Sequence, residues 1–233
     1  MTSPSTATNP NVSVDCVVFG FDEEDLKVLL IEQRPIGDIE PQMALPGDLV
    51  LQDENLDHAA SRVLKELTNL NGLYLKQFHT FGDPDRLNSV KDQEWLRNFR
   101  DAPDARVITV AYYSLVKMEN YQPEAASFAG KIIWQPVDQV PNLAFDHNKI
   151  FNTALARLRE EFELKNIAFE LLPKKFTLSQ LQRLHEIVLG VDLDKRNFRK
   201  KLKMKEGLVA LNEKQKGVDH KPAQLFAYSP AKK

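Results

Sequence analysis

Apolar residues along Val12–Gly20 fall at every second position (Val12, Val14, Cys16, Val18), which predicts a strand. The acidic cluster Asp22-Glu23-Glu24-Asp25 makes a turn into a second strand, Leu26–Gln33. Its unbroken Val28-Leu29-Leu30-Ile31 run fits a strand covered on both faces. A loop with Pro35, Gly37 and Pro41 and the short segment Met43–Gly47 follow. From Leu56 to Leu70 the period becomes helical, with Leu56, Ala59, Ala60, Val63, Leu64 and Leu67 three and four apart, Asn55 as N-cap and Asn71-Gly72 as the stop. Strands are predicted over Tyr74–Phe81, Arg106–Val116 and Lys131–Gln135. Between the first two lie a Gly82-Asp83-Pro84 turn and a polar stretch holding a short helix around Glu94–Arg100. A helix from Asp146 to Leu164, striped by Phe151, Leu155, Leu158 and Phe162, ends this part of the chain.

The last third has a different rhythm. Thr177 caps a helix whose Leu178, Leu181, Leu184 and Val188 share a face and which stops at Gly190. Asp194 then caps a second helix with Phe198 and Leu202 at i, i+4. Two short strands, Leu208–Leu211 and Leu225–Tyr228, complete the pattern of a winged helix-turn-helix. Charge divides the chain in the same place. From Pro173 onward there are 15 Lys/Arg against 6 Asp/Glu, a net of +9, within a whole chain of net −2. Halves this different predict two domains with different partners, the basic one suited to a polyanion. No apolar run approaches the length of a membrane span, and Met1–Asn11 lacks the basic start and apolar core of a signal peptide, so it reads as a loose tail of a cytoplasmic protein. The single Cys16, in an apolar stretch, reads as a buried structural thiol.

Gly47–Leu70 resembles a Nudix box with parts missing. In that pattern a Gly-rich loop leads to a Glu; eight residues on come Arg, Glu, a hydrophobic residue, any residue and two Glu, with a Gly soon after. Gly47, Glu54, Arg62, Leu64, Glu66 and Leu70 match; Asp48, Val63, Leu67 and Asn69 depart. Positions 63, 66 and 67 lie on one helical face, where three carboxylates would gather Mg²⁺ against a pyrophosphate. With Val63 and Leu67 there, Glu66 is left alone, so the expectation is a sensor with no catalytic residues, no metal site and no cofactor.

Two further motifs widen the resemblance to about Val12–Tyr228. Phe81-Gly-Asp-Pro-Asp-Arg86, followed by Arg106-Val-Ile-Thr-Val-Ala-Tyr-Tyr113, is similar to a cleft segment of the Nudix-related transcriptional regulators, with a longer insert, Leu87–Asp104, than is usual. Leu171–Gln182 and Leu193–Leu202 resemble the C-terminal domain of the same family. The resemblance implies an α+β protein: a tail (1–11), a Nudix-like α/β/α sandwich sensing an effector (12–164) and a winged helix (165–230). It implies a homodimer, without membrane contact, that binds a double-stranded operator as a repressor and answers to a small molecule, ADP-ribose or a pentose such as arabinose. Effector contacts are expected from Arg34, Arg62, Glu66, Asp85 and Arg86. DNA contacts are expected from Thr177, Gln180, Lys195, Arg196, Asn197, Arg199, Lys200, Lys203, Lys214 and Lys216, where Lys and Arg neutralise phosphates and Asn or Arg reads base edges. Two alternatives stay open: an active Nudix hydrolase drawing on Asp53, Glu54 or Asp57 beside Glu66, and a metabolite module with a protein-docking tail. The histidines at 58, 79, 147, 185 and 220 show no paired-ligand spacing and read as structural or exposed.

Overall fold

The computed structural model describes residues 7–22, 24–35, 37, 40–164, 167–217 and 221–229. The chain divides into two compact units, the first comprising residues up to 22 and 26–157, the second comprising 23–25 and the residues from 158 onward. In the first unit, strand β1 (Thr8–Phe21) is the spine. It pairs antiparallel with β2 (Leu26–Gln33) and with β4 (Gly47–Leu51), and parallel with β6 (Ile108–Lys117) from Val12↔Ile108 to Phe21↔Lys117. β2 carries β3 (Met43–Ala44) and β7 (Ala129–Pro136), and β5 (Lys76–Phe81) closes the far edge on β6.

The period-two pattern of β1 decides what covers each face. Val14, Cys16 and Val18 pack on Ala59, Ala60, Val63, Leu64 and Leu67 of helix α1 (Leu56–Thr68). The alternate residues turn the other way, where the ring of Phe19 lies 6.3 Å from Phe151 of α3 (His147–Leu164). The result is the expected sandwich with an apolar layer on each side of the sheet. Cys16 is buried, its thiol donating to Ala60 O, and burial pushes its pKa up.

Several elements differ from their sequence expectation. Residues 8–11 are not a loose tail: Thr8 pairs with Leu51, and Gln52 N donates to Ala7 O. Residues 1–6 lie outside the described residues. β4 was not expected because its first residues, Gly47 and Asp48, read as loop; backbone pairing of Asp15 with Gly47 makes it a strand. α1 is capped by Asn55, whose side chain accepts from His58 N, but it stops at Asn69 rather than Asn71-Gly72. Asn69 adopts the left-handed conformation, φ 56°, which a short polar side chain tolerates. The insert helix is longer than its apolar pattern predicts: α2 runs Val90–Phe99 because Ser89 caps it, accepting from Asp92 N.

The second unit takes the expected winged-helix form. After a short helix, α4 (Ala168–Leu171), α5 (Leu178–Leu189) starts at Thr177 with a full capping box to Gln180 and ends at Gly190, φ 69°. Leu181, Leu184 and Val188 are its buried face. α6 (Lys195–Leu202) follows behind Asp194, whose side chain accepts from Asn197 N. Strands β8 (Leu208–Lys214) and β9 (Gln224–Tyr228) form the hairpin, and Phe176 bridges to Phe226 through backbone hydrogen bonds of 2.7 and 3.0 Å. Phe169 stacks on Tyr228 with ring centroids 3.9 Å apart.

Gly47 has a steric reason to be glycine: a Cβ there would meet Asp15 Oδ1 at 1.9 Å. Gly47→Ala is expected to lower stability by about 1–3 kcal/mol, the usual cost of overpacking. Gly82→Ala, whose Cβ would reach only Ile108 at 3.5 Å, should stay within about 0.5 kcal/mol in the same thermal unfolding experiment.

Candidate functional site

Asp15 interrupts the apolar run of β1 and is buried, 4% exposed. Its carboxylate faces two partners drawn from distant parts of the chain. Arg86, after β5, reaches Asp15 Oδ2 at 3.4 Å and pairs with Asp146 through Nη2–Oδ1 at 2.7 Å and Nε–Oδ2 at 3.1 Å. His147, the first residue of α3, places Nε2 3.3 Å from Asp15 Oδ1, while its Nδ1 accepts from Leu45 N. That hydrogen bond puts the ring proton on Nε2, towards the carboxylate. Burial alone would raise the Asp15 pKa; His147 and Arg86 outweigh it and hold the group well below the usual carboxylate range.

This network is the floor of a pocket in the first unit. Ser13, Gln33 and Asp48 line it from β1, β2 and β4, and Trp95, Phe99 and Arg100 from the insert. Trp95 stacks on Phe99 at 4.3 Å and meets Phe128 and Phe145 edge-on, giving the pocket an aromatic wall beside its charged residues. The insert helix is tied down by Asp92, which is buried and accepts from Phe145 N at 3.0 Å. Burial raises the pKa of Asp48 and lowers that of Arg100.

The expected effector residues separate. Arg86 lines the pocket, buried in its ion pairs. Asp85, its neighbour in the turn, is exposed, as is Arg34, and neither lines it. Arg62 and Glu66 are committed to each other at 2.8 Å, and Arg62 also grips Glu54 at 2.7 Å and Leu49 O at 2.9 Å. The Glu54 hydrogen bonds raise the Arg62 pKa, so the retained Nudix-box residues act as a clamp between β4 and α1. Positions 63, 66 and 67 also part company. Val63 and Leu67 are buried in the core and Glu66 stands exposed at the edge of that face, because i, i+4 neighbours align more closely than i, i+3. Among the described residues no three His, Cys, Asp or Glu side chains gather as a metal site. Asp15, Gln33, Asp48, Trp95, Phe99, Arg100 and His147 were not expected at the pocket. The one local signal was a carboxylate set between Val14 and Cys16.

In the second unit α6 shows what a helix kept for its outer face looks like. Only Phe198 is buried, its ring 5.1 Å from His185 of α5. The preceding turn is pinned by Gln182 Nε2 donating to Leu193 O and Leu193 N donating to Glu186. Lys195, Arg196, Asn197, Arg199, Lys200 and Lys203 are exposed, and all but Asn197 line one shallow groove. Lys195 and Arg196 in the first turn oppose the helix dipole, an arrangement that costs about 0.3–1 kcal/mol each. Lys214 and Lys216 are exposed at the end of β8 and just beyond it. Thr177, by contrast, is buried, and its hydroxyl and the Gln180 side chain are engaged in the capping box.

The matches to known proteins follow the same division. Residues 9–158 match the NUDIX domain and residues 168–228 the NrtR DNA-binding winged helix domain. The chain is 32% identical over 225 residues, covering 95% of itself and 83% of its relative, to an ADPR responsive transcriptional repressor NtrR of Acinetobacter baylyi. The chain belongs to the Nudix-related transcriptional regulators. Among solved structures of this family, Shewanella oneidensis NrtR complexed with a 27mer DNA is similar over 94% of each chain at 26% identity, TM-score 0.61. The Nudix domain of the same protein complexed with ADP ribose is 28% identical over 67% of this chain and 94% of that one, TM-score 0.50. In this regulator no helix among the described residues is long and apolar enough to cross a membrane.

Asp15→Asn is expected to destabilise the regulator at pH 7, toward the lower end of the about 3–5 kcal/mol for removing a buried partner, since Arg86 keeps Asp146. The folded-state pKa of Asp15 is depressed, so its contribution is complete above the ordinary carboxylate value and is lost as pH falls through the lowered one. Urea unfolding between pH 5 and 2 should therefore show a smaller loss of stability in the variant than in the wild type.

Proposed function

We propose that this chain is an ADP-ribose-responsive repressor that acts in the cytoplasm as a homodimer on a palindromic operator. The observation that carries the reading is α6: a helix anchored by Phe198 alone, with six polar and basic residues turned outward in a winged-helix setting. Lys195, Arg199, Lys200, Lys203, Lys214 and Lys216 neutralise phosphates; Arg196 and Asn197, near the N-terminus of α6, read base edges in the major groove. The relatives named for ADP-ribose support that effector over a pentose. Its binding site is the pocket over Asp15, Arg86 and His147. Derepression requires that ADP-ribose bind the operator-free state more tightly than the operator-bound one. Hydrolysis is not the role of the first domain: Val63 and Leu67 sit in the core where metal-binding carboxylates would stand, and Glu66 is held by Arg62.

Fluorescence anisotropy with an operator obtained by genomic binding-site selection tests the reading. Affinity should fall at least tenfold between 50 and 200 mM salt, as counterion release dictates. Lys200→Ala should weaken all sequences alike, while Asn197→Ala and Arg196→Ala should also flatten base preference, each correct base contact being worth about 1–3 kcal/mol. Added ADP-ribose should release the operator, with arabinose inert. Robust Mg²⁺-dependent turnover of ADP-ribose, or operator affinity unaffected by all three substitutions, would remove the repressor reading.

A further inference from the structure

The polar lining of the pocket divides into groups that the protein satisfies and groups that it leaves open. Asp15, Arg86 and His147 are taken up by one another, and the Asp48 carboxylate accepts from Leu49 N at 2.7 Å. Gln33 is only 2% exposed, yet its carboxamide has no hydrogen-bond partner among the described residues. Neither of its polar atoms is closed off, so what stays open of this residue is its amide end. Arg100, half-buried at the end of the insert helix, lines the same pocket. Its guanidinium makes no ion pair and no hydrogen bond among the described residues. Asp48 and Asp15 act on it only through space. A cation drawn out of water without a partner, on the same pocket as an open amide, marks a place for an anionic oxygen.

The enclosed space bounds the size of that group. It measures about 90 Å³, where one water needs roughly 10–15 Å³ and a benzene roughly 150 Å³. It therefore takes a few heavy atoms and no ring, and a phosphoryl group is of that size. In the Nudix pattern a phosphoryl group meets metal held by carboxylates of the helix. The residues here do not fit that metal: Val63 and Leu67 are in the core, and Arg62 occupies Glu54 and Glu66.

We infer, on the reading that ADP-ribose is the effector, that Arg100 and Gln33 hold its diphosphate, with Arg100 supplying the positive charge that metal supplies in the Nudix pattern. Nonbridging oxygens enter the enclosed space, and both ribose ends stay in its open mouth. Asp48 faces the diphosphate as a like charge and limits the affinity.

Calorimetry with ADP-ribose on the full-length protein, in EDTA and in Mg²⁺, tests this. Wild type should bind equally in both, a comparison that needs no variant. Arg100→Gln should weaken binding about tenfold or more, the usual loss for a hydrogen bond to a charged group. Asp48→Asn should tighten it about two- to fivefold by removing the like charge. Gln33→Leu should weaken it about threefold or more without lowering the unfolding temperature of the free protein, because the lost amide leaves no protein group unpaired. Binding that needs Mg²⁺, or that survives Arg100→Gln unchanged, overturns the inference and leaves the effector reading standing. Weaker binding in Asp48→Asn does the same, since that carboxylate would then accept from ligand hydroxyls. A lower unfolding temperature in free Gln33→Leu gives Gln33 a structural role and overturns its part in the site. No binding of ADP-ribose in either condition removes the effector reading itself, and the inference with it.

Discussion

Asp15 keeps a negative charge in the middle of the central strand of the sheet, and the first unit is organised around making that tolerable. Burying a lone carboxylate costs several kcal/mol, offset only when partners satisfy it with good geometry. The partners come from the loop after β5 and from the start of α3, so one charge draws two remote segments to the central strand. Gly47 is part of the same constraint, because β4 passes so close to the carboxylate that no side chain fits. The pocket floor is therefore built on the sheet, while its wall includes a separate helix tied on through Asp92.

The winged helix follows the opposite logic. Where the first unit takes charge inside and pairs it, α6 leaves charge outside, against its own dipole in the first turn. Its position depends on Phe198 against His185 and on the pinned turn before it, none of which draws on the basic residues. Packing and exposed charge thus lie on different faces of the same eight residues.

Local information was enough for the elements whose causes are local. β2 has the expected ends because an apolar run bounded by turns leaves no choice, and α5 has them because Thr177 and Gly190 punctuate it. α2 was foreshortened because its buried apolar residues, Trp95 and Leu96, lie in its second half, while its start depends on the Ser89 cap. The pocket was legible only at Arg86. In a strand of alternating pattern a carboxylate reads as the solvent side, and its partners stand 71 and 132 positions away, beyond any periodicity. The departures from the Nudix pattern were visible, but their meaning was mixed. Val63 and Leu67 put apolar core side chains where the pattern has carboxylates, whereas Asn69 preserves the left-handed turn that a glycine would supply.

The single buried anchor of α6 bears on how such a regulator diversifies. A side chain that takes no part in packing is free to drift, and every residue of α6 but Phe198 and Leu202 is exposed. On the reading proposed above, operator preference is then inherited largely apart from the core: a descendant acquires a new target sequence by replacing a handful of surface residues while Phe198 and the pinned turn stay as they are.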